Sequence, residues 1–89
     1  MGIREKLADT SGEEDFLFAD GFDNAIIGFC LGFDSGRVVY DARKMVRILS
    51  QKEEMTRDEA WEYLEFNTFG AWVGDNTPIY VMQRDYWDG

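Results

Sequence analysis

The chain has no histidine and a single cysteine, and it carries nine basic side chains against 18 acidic ones among its 89 residues. Because histidine is the usual general acid or base near neutral pH, its absence removes the commonest catalytic chemistry. Cys30 has no partner for an intrachain disulfide, and the apolar run around it predicts a strand in which the thiol is buried and inert. The sequence therefore predicts no thiol enzyme and fits a reducing compartment.

Metal and phosphate sites are also poorly supported by the sequence. Zinc sites need histidine or several cysteines, and Asp20, Asp23 and Asp75 lie in turns without the ligand spacing of a calcium loop. Gly28 and Gly32 allow either the close approach of a ligand or a β-bulge, and no phosphate-loop pattern follows them. We expect a protein that is not an enzyme, with no catalytic residue, no metal and no cofactor.

Long apolar runs are missing as well. No stretch approaches the roughly 18 apolar residues of a membrane span. Residues 1–6 lack the apolar core of a signal peptide. These absences predict that the protein makes no contact with membranes and works in the cytoplasm.

Negative charge is what the chain has in excess. The formal net charge is -9, which disfavours nucleic acid and favours either a basic protein partner or simple solubility. The charge is uneven, at -6 over residues 1–36, +3 over residues 37–57 and -6 over residues 58–89. Two acidic flanks therefore enclose one mildly basic segment.

The basic segment contains six cations, which are Arg37, Arg43, Lys44, Arg47, Lys52 and Arg57. These cations could either contact nucleic acid or form ion pairs within the protein. A polyanion would meet acidic flanks on both sides, and the neighbouring aromatic residues fit structural roles better than base stacking. We therefore expect these cations to pair with Asp41, Glu53, Glu54 and the acidic helix, and we expect no nucleic acid as a partner.

The remaining pattern predicts one small α+β domain. Apolar residues make up 45% and aromatic residues 16% of the chain, which indicates a packed core rather than disorder. Residues 25–31 and 37–40 are predicted to form an antiparallel hairpin around a turn at 33–36. Residues 79–82 have the pattern of a third strand, too far along the chain to follow the hairpin directly.

Two helices are predicted between the hairpin and the third strand. Asp41 can cap one that runs to about Gln51, and Thr56 with Glu59 has the capping-box pattern at the start of the other, which should fray near Asn67. The order is β-β-α-α-β, with both helices packed on one face of the sheet. The chain is thus divided into a flexible or short-helical segment at 1–15, the α+β domain at 16–82 and an exposed tail at 83–89.

Several segments of this domain carry a pattern that is similar to a known family. They are DGFDNAIIG at 20–28, VYD at 39–41, EAWEYLEFNTFGAWVG at 59–74 and TPI at 77–79. Over roughly residues 16–82, the chain resembles a family of small proteins encoded by tailed bacteriophages and prophages. The resemblance implies a phage origin and the cytoplasm of a bacterial host as the place of action. It assigns a catalytic role to no residue of this chain.

One face of the second helix is predicted to be acidic. At about 100° per residue, Asp58, Glu62 and Glu65 fall within one narrow stripe. Such a stripe either keeps the protein soluble or fills a basic groove by repeating the charge of a phosphate backbone on a rigid helix. The opposite side should pack on the core through Ala60, Trp61, Tyr63 and Leu64.

A second acidic patch precedes the domain. It consists of Glu13, Glu14 and Asp15, and Asp20 and Asp23 could extend the acidic surface. Together with the resemblance, these patches predict a protein that captures a host protein with a basic surface. The hypothesis is inhibition of a host system that handles nucleic acid or defends against phage, in the manner of an anti-restriction or anti-CRISPR protein. The most specific version of this hypothesis is DNA mimicry, in which the acidic surface occupies the DNA-binding groove of the host protein.

Two aromatic residues near the C-terminus offer anchors for a partner. Tyr86 and Trp87 belong to the residue types that most often dominate the binding energy of interfaces. In the alternative interpretation, they and an unpaired strand edge bury against a second copy to form a homodimer. The chain would then be a self-associating phage accessory protein with a structural or assembly role and no host target.

Overall fold

The computed structural model describes residues 2–13 and 15–87 and has an α+β architecture. The predicted order β-β-α-α-β is confirmed, with a short helix added at each end. The first of these helices makes the N-terminal segment helical and places Leu7 in the core. The elements are α1 (Ile3–Ser11), β1 (Ile26–Phe29), β2 (Val38–Asp41), α2 (Ala42–Lys52), α3 (Arg57–Leu64), β3 (Ile79–Val81) and α4 (Arg84–Trp87).

The sheet has three strands in the order β1-β2-β3. β1 and β2 are antiparallel, as the hairpin prediction requires, and Gly36 between them has a φ of 91° that glycine tolerates. The pairing register shifts between Ile26 and Gly28, which favours the bulge interpretation of Gly28. β3 lies parallel to β2, a pairing that needs a long crossover, which α2 and α3 provide.

Both predicted helix starts are confirmed. The Asp41 side chain accepts a hydrogen bond from the Lys44 amide at 3.1 Å and so caps α2. At α3, the Thr56 hydroxyl accepts from the Glu59 amide at 3.1 Å, and the Glu59 carboxylate accepts from the Thr56 amide at 3.0 Å. The hydrogen bond from the Thr56 amide lowers the pKa of Glu59, because it favours the ionised carboxylate.

The core joins β2 to both central helices. Its largest side chains without exposed surface are Tyr40 and Val38 from β2, Met45 from α2 and Leu64 from α3. Because α2 and α3 contribute to the same cluster, their outer faces are held in a fixed relation. The other buried members are Leu7, Phe16, Ala25, Val46, Leu49 and Ala60.

α3 does not fray near Asn67 but continues into a π-helical turn, Glu65–Phe69. The Phe69 ring accounts for the extension, because it packs against Trp61 and Tyr80 at centroid distances of 5.7 and 5.0 Å. The same turn leaves Phe66 with 80% of its surface exposed.

Cys30 does not lie in a buried strand, as the apolar run predicted. β1 ends at Phe29 and Cys30 is half-buried, although its amide still donates to the Arg37 carbonyl at 2.9 Å. The chain leaves the sheet here because a tight turn begins at Gly32, whose φ is 71°.

Two stacked tyrosines indicate how the fold responds to high pH. Tyr40 is fully buried, accepts a hydrogen bond from the Ala19 amide at 2.8 Å and stacks on Tyr80 at a centroid distance of 5.7 Å. Burial raises the pKa of both phenols above 10.0. The folded state therefore holds these protons more tightly than the unfolded state. Their contribution to stability should be complete below about pH 10 and should be lost as the pH rises further.

Urea unfolding at a series of pH values checks this prediction. The urea midpoint should fall as the pH rises above about 10, and the fall should be smaller for Tyr80→Phe. That variant is a clean probe because, in the part of the chain that the structure describes, Tyr40 and Tyr86 form hydrogen bonds through their hydroxyl groups whereas Tyr80 does not. A midpoint that stays level, or a variant that loses as much stability as the wild type, would contradict the prediction.

Candidate functional site

The acidic stripe lies on the solvent side of α3, as predicted. Asp58, Glu62 and Glu65 are all exposed, whereas Ala60 and Leu64 have no exposed surface. The acids are four and three residues apart, so they follow one edge of the helix. The core contacts of α3 thus give this row of carboxylates a rigid base.

Two exposed aromatic side chains lie on the same helix and the π turn that continues it. Phe66 is 80% exposed and Tyr63 is 47% exposed. The prediction that Tyr63 faces the core is wrong, because Ala60 and Leu64 fill the contact that α3 makes there. The Tyr63 carbonyl accepts a hydrogen bond from Asn67 Nδ2 at 2.9 Å, which steadies the turn that carries Phe66.

Trp61 connects the stripe to the rest of the domain. Its Nε1 donates a hydrogen bond to the Glu65 carboxylate, and its ring meets Phe69 edge to face. In the part of the chain that the structure describes, the carboxylates of Asp58 and Glu62 have no hydrogen-bond or ion-pair partner. Two of the three stripe acids are therefore available to a partner without breaking an internal bond.

The second acidic patch, at residues 13–15, is held by contacts away from α3. The Glu13 carboxylate accepts a hydrogen bond from the Asp15 amide at 3.0 Å, and the Asp15 carbonyl accepts one from Asn76 at 2.8 Å. Asp15 is exposed and Glu13 is half-buried, whereas Glu14 lies outside the described residues. These contacts tie the patch to the turn before β3, and they do not join it to the stripe on α3.

The two acids that were expected to extend the acidic surface are paired with Arg4. Its Nη2 lies 3.1 Å from Asp20 Oδ1 and 2.9 Å from Asp23 Oδ1, and its guanidinium carbon lies 4.4 Å from the centroid of the Phe18 ring. Hydrogen bonding to Asp23 raises the pKa of Arg4. Asp20 and Asp23 therefore fasten α1 to the following turn, and Arg4 balances one of their two negative charges.

The basic segment is not paired with acids in the predicted way. Arg37 pairs with Asp34 at 3.1 Å and donates to the Thr77 carbonyl at 2.7 Å. Glu53 and Glu54 lie beyond the last turn of α2, where Glu54 has a φ of 54°, so they do not share a helix face with the cations. Among the described residues, no carboxylate oxygen lies within 4.0 Å of the charged groups of Arg43, Lys44, Arg47, Lys52 and Arg57.

Asp41 is buried and holds the C-terminal helix in place. Its Oδ1 caps α2, and its Oδ2 accepts hydrogen bonds from Gln83 Nε2 at 2.9 Å and the Tyr86 hydroxyl at 3.0 Å. The hydrogen bond to Asp41 raises the pKa of Tyr86. The expectation of an exposed tail from residue 83 is corrected here, because Gln83 and Tyr86 are half-buried and α4 docks through them.

The two predicted aromatic anchors therefore differ in how much surface they offer to a partner. Tyr86 is engaged inside the domain, since its hydroxyl binds Asp41 and its ring centroid lies 4.7 Å from the guanidinium carbon of Arg43. Trp87 is 65% exposed, and its Nε1 donates to the Met82 carbonyl at 3.1 Å. Of the two rings, the one of Trp87 offers surface to a partner.

A small pocket, not foreseen from the sequence, lies between α2 and the start of α3. Its volume is about 240 Å³. The spacing of Arg43 and Arg47 indicates a shared helix face, but only the packing of α2 on α3 brings that face next to Arg57. The pocket is lined by Arg43, Val46, Arg47, Arg57, Asp58, Trp61 and Met82.

Within residues 2–13 and 15–87, no three histidine, cysteine or carboxylate side chains are grouped so as to hold a metal ion. Over the same residues, no helix combines the length and the apolar character that a bilayer crossing demands.

Comparison of the chain with protein-family models, with curated proteins and with solved structures finds no match.

Proposed function

We propose that this domain acts by capturing another protein with a basic surface, and that it turns over no substrate. One observation carries the proposal: exposed carboxylates and exposed aromatic rings lie on one capped helix and the π turn that continues it, and the underside of this helix is buried. The carboxylates are Asp58, Glu62 and Glu65, and the rings are Tyr63 and Phe66.

Charge and aromatic contact have separate roles in such capture. A net charge of -9 steers a basic partner toward the surface and speeds association, and added salt weakens this effect. Aromatic side chains that become fully desolvated contribute much of the affinity at a typical interface. Phe66 has the largest exposed fraction among the aromatic residues of α3 and its π turn, so it is the expected anchor.

A host protein that binds DNA is the class of partner that the charge favours. The resemblance to phage proteins further suggests the role of such a partner in the host. Capture of this partner would inhibit a restriction, CRISPR or transcription component of the host. At 1.5 Å per residue, the stripe carboxylates follow one another at about 6 and 4.5 Å along the helix. One DNA strand carries a charge every 3.4 Å or so. The stripe therefore resembles a diluted segment of one strand, and the affinity must also come from the aromatic contacts.

Reversing the charge of the stripe tests the proposal. The triple variant Asp58→Lys, Glu62→Lys and Glu65→Lys has a net charge of -3 instead of -9, since each substitution adds two charges. We expect the tagged variant to recover about tenfold less of its partner from a host lysate than the wild type does, because the contacts that steer and orient the partner are gone. Quantitative mass spectrometry of the co-purified proteins measures the ratio.

A matched triple variant separates the stripe from the overall charge. Glu5→Lys, Asp9→Lys and Glu53→Lys make the same change in net charge at exposed positions outside the stripe, and this variant should keep its partner. Circular dichroism should show that both variants are folded. Equal loss of the partner in both triples would assign capture to net charge alone, and retention by the first triple would exclude α3 as the surface.

A further inference from the structure

The pocket between α2 and α3 is positively charged although the chain as a whole is acidic. Arg43, Arg47 and Arg57 line it, with Asp58 as the one carboxylate among the lining residues. In the part of the chain that the structure describes, none of the three guanidinium groups has a carboxylate oxygen within 4.0 Å. Three cations without acidic partners around one concave surface form a site for a ligand with negative charge.

The size and the apolar wall of the pocket narrow the choice of ligand. Val46, Trp61 and Met82 supply the apolar surface, and the volume is about 240 Å³. Sites for drug-sized molecules have roughly 300–1,000 Å³, so this pocket suits a single protein side chain. Guanidinium groups pair with carboxylates and also stack on aromatic rings. The ligand that fits is an exposed aromatic side chain with carboxylates beside it.

The chain itself carries such a segment at the other end of α3. Glu62 and Glu65 are exposed, and Phe66 next to them is 80% exposed. Glu65 accepts a hydrogen bond from Trp61 at the wall of the pocket of its own molecule. At about 1.5 Å per residue, however, Phe66 lies some 13 Å from Arg57 along one continuous helix, so its ring does not fill that pocket. We propose that this pocket binds the 62–66 segment of a second copy of the chain.

The local charges outweigh the general repulsion between two acidic molecules. Two chains of net charge -9 repel each other, but salt screens this repulsion over about 8–10 Å at physiological ionic strength. The carboxylates of Glu62 and Glu65 meet guanidinium groups at hydrogen-bond distance, about 2.8 Å, where screening is weak. Burial of the Phe66 ring against Trp61 and Met82 adds an apolar contribution.

This self-association goes beyond partner capture, although it uses part of the same surface. It is measured on the purified chain without any partner, so its failure would leave the capture proposal standing. Likewise, a chain that captures no host protein could still self-associate through the pocket.

Two variants with opposite charge reversals test the pairing. Arg47→Glu with Arg57→Glu reverses the pocket and gives a net charge of -13, whereas Glu62→Arg with Glu65→Arg reverses the segment and gives -5, from -9 in the wild type. All four positions are exposed, and Arg43 is left in place because it lies over Tyr86. Circular dichroism should show that each variant keeps its fold.

Sedimentation equilibrium and native mass spectrometry measure the association. We expect the wild type to self-associate and each variant alone to do so at least about tenfold more weakly. An equimolar mixture should regain the wild-type strength. In the mixture, the acidic pocket of the Arg47→Glu, Arg57→Glu variant can bind the basic segment of the Glu62→Arg, Glu65→Arg variant. The unaltered acidic segment of the first variant can likewise bind the unaltered basic pocket of the second.

The variant with the reversed segment also excludes net charge as the cause. Its charge of -5 is lower in magnitude than that of the wild type, so general repulsion alone would make it associate more strongly, whereas the proposal requires weaker association. A wild type that stays monomeric up to about 1 mM would overturn the proposal. A mixture no stronger than its components would overturn it as well.

Phe66→Ala tests the aromatic part of the contact. It should weaken the association about tenfold, as truncation of a central aromatic anchor does. Phe33→Ala is the matched control, because the Phe33 side chain is fully exposed and lies in the hairpin turn, away from α3. Neither change should affect the fold. Equal effects of the two substitutions would overturn the assignment of Phe66 to the pocket.

Discussion

Replacing Leu64 with alanine should lower the free energy of unfolding by about 3 kcal/mol, within the range of about 2–5 kcal/mol for such changes in well-packed cores. Leu64 has no exposed surface and belongs to the cluster that joins α3 to β2 and α2. The substitution removes buried apolar atoms and leaves a cavity that the neighbouring side chains fill only in part. A domain of this length has a total stability on the order of 5–13 kcal/mol, so the loss is a large fraction.

Leu31→Ala is the matched control for this measurement. Leu31 is 81% exposed, so the same chemical change should alter the stability by less than about 0.5 kcal/mol. Urea unfolding followed by tryptophan fluorescence compares the two variants. A loss of less than about 1 kcal/mol for Leu64→Ala, or a similar loss for both variants, would contradict the packing of α3. Because Leu64 lies between Tyr63 and Glu65, its packing also orients the proposed binding surface.

Replacing Asp41 with alanine should release α4 and destabilise the domain by about 2–3 kcal/mol. The loss of the helix cap accounts for about 1 kcal/mol. The loss of the hydrogen bonds from Gln83 and Tyr86 to this buried carboxylate accounts for most of the remainder. Hydrogen exchange should show faster exchange of the amides of α4, and urea unfolding should show the loss of stability.

Asp41→Asn separates the two roles of this residue. An asparagine can still cap α2 through its side-chain oxygen, but its amide group cannot accept hydrogen bonds from Gln83 and Tyr86. The variant should therefore be intermediate in stability, with α4 released. In both variants the pKa of Tyr86 should fall, because the hydrogen bond to Asp41 is the main cause that raises it. An unchanged titration of Tyr86 would show that Asp41 does not hold it.

The Asp41 network also connects the C-terminal helix to the positive pocket. Tyr86 donates to Asp41 at 3.0 Å, and the guanidinium carbon of Arg43 lies 4.7 Å from the Tyr86 ring centroid. Arg43 is one of the three cations that line the pocket. A docked α4 therefore restricts the positions open to Arg43, and the buried carboxylate contributes to the shape of a surface that it does not touch.

Partner capture and self-association would compete for one part of the molecule. Both proposals place Glu62, Glu65 and Phe66 in the contact, so a chain paired with a second copy covers the carboxylates that a basic partner needs. Mass action then makes the outcome depend on concentration. Dilute protein would be free to capture its partner, whereas concentrated protein would be held in pairs.

The helix starts, the hairpin and the acidic stripe could be predicted from the sequence, and the structure has all three. Asp41, Thr56 and Glu59 bind amides within three residues of themselves, so these caps are local chemistry that a short window of sequence contains. The stripe follows from residue spacing, because the geometry of a helix sets which side chains share an edge. Composition and charge are likewise properties of the chain before it folds.

Tertiary structure alone decided which charges are free and which are paired. Arg4 reaches Asp20 and Asp23 across 16 and 19 positions, and Asp41 meets Gln83 across 42. No local rule contains these contacts, since they depend on how whole elements pack around the core. For the same reason, Arg4 balances part of the negative charge of Asp20 and Asp23, and cations from two helices meet in one pocket. The sign and the spacing of the charges were thus determined by the sequence, and their availability to a partner by the packing of the helices and the sheet.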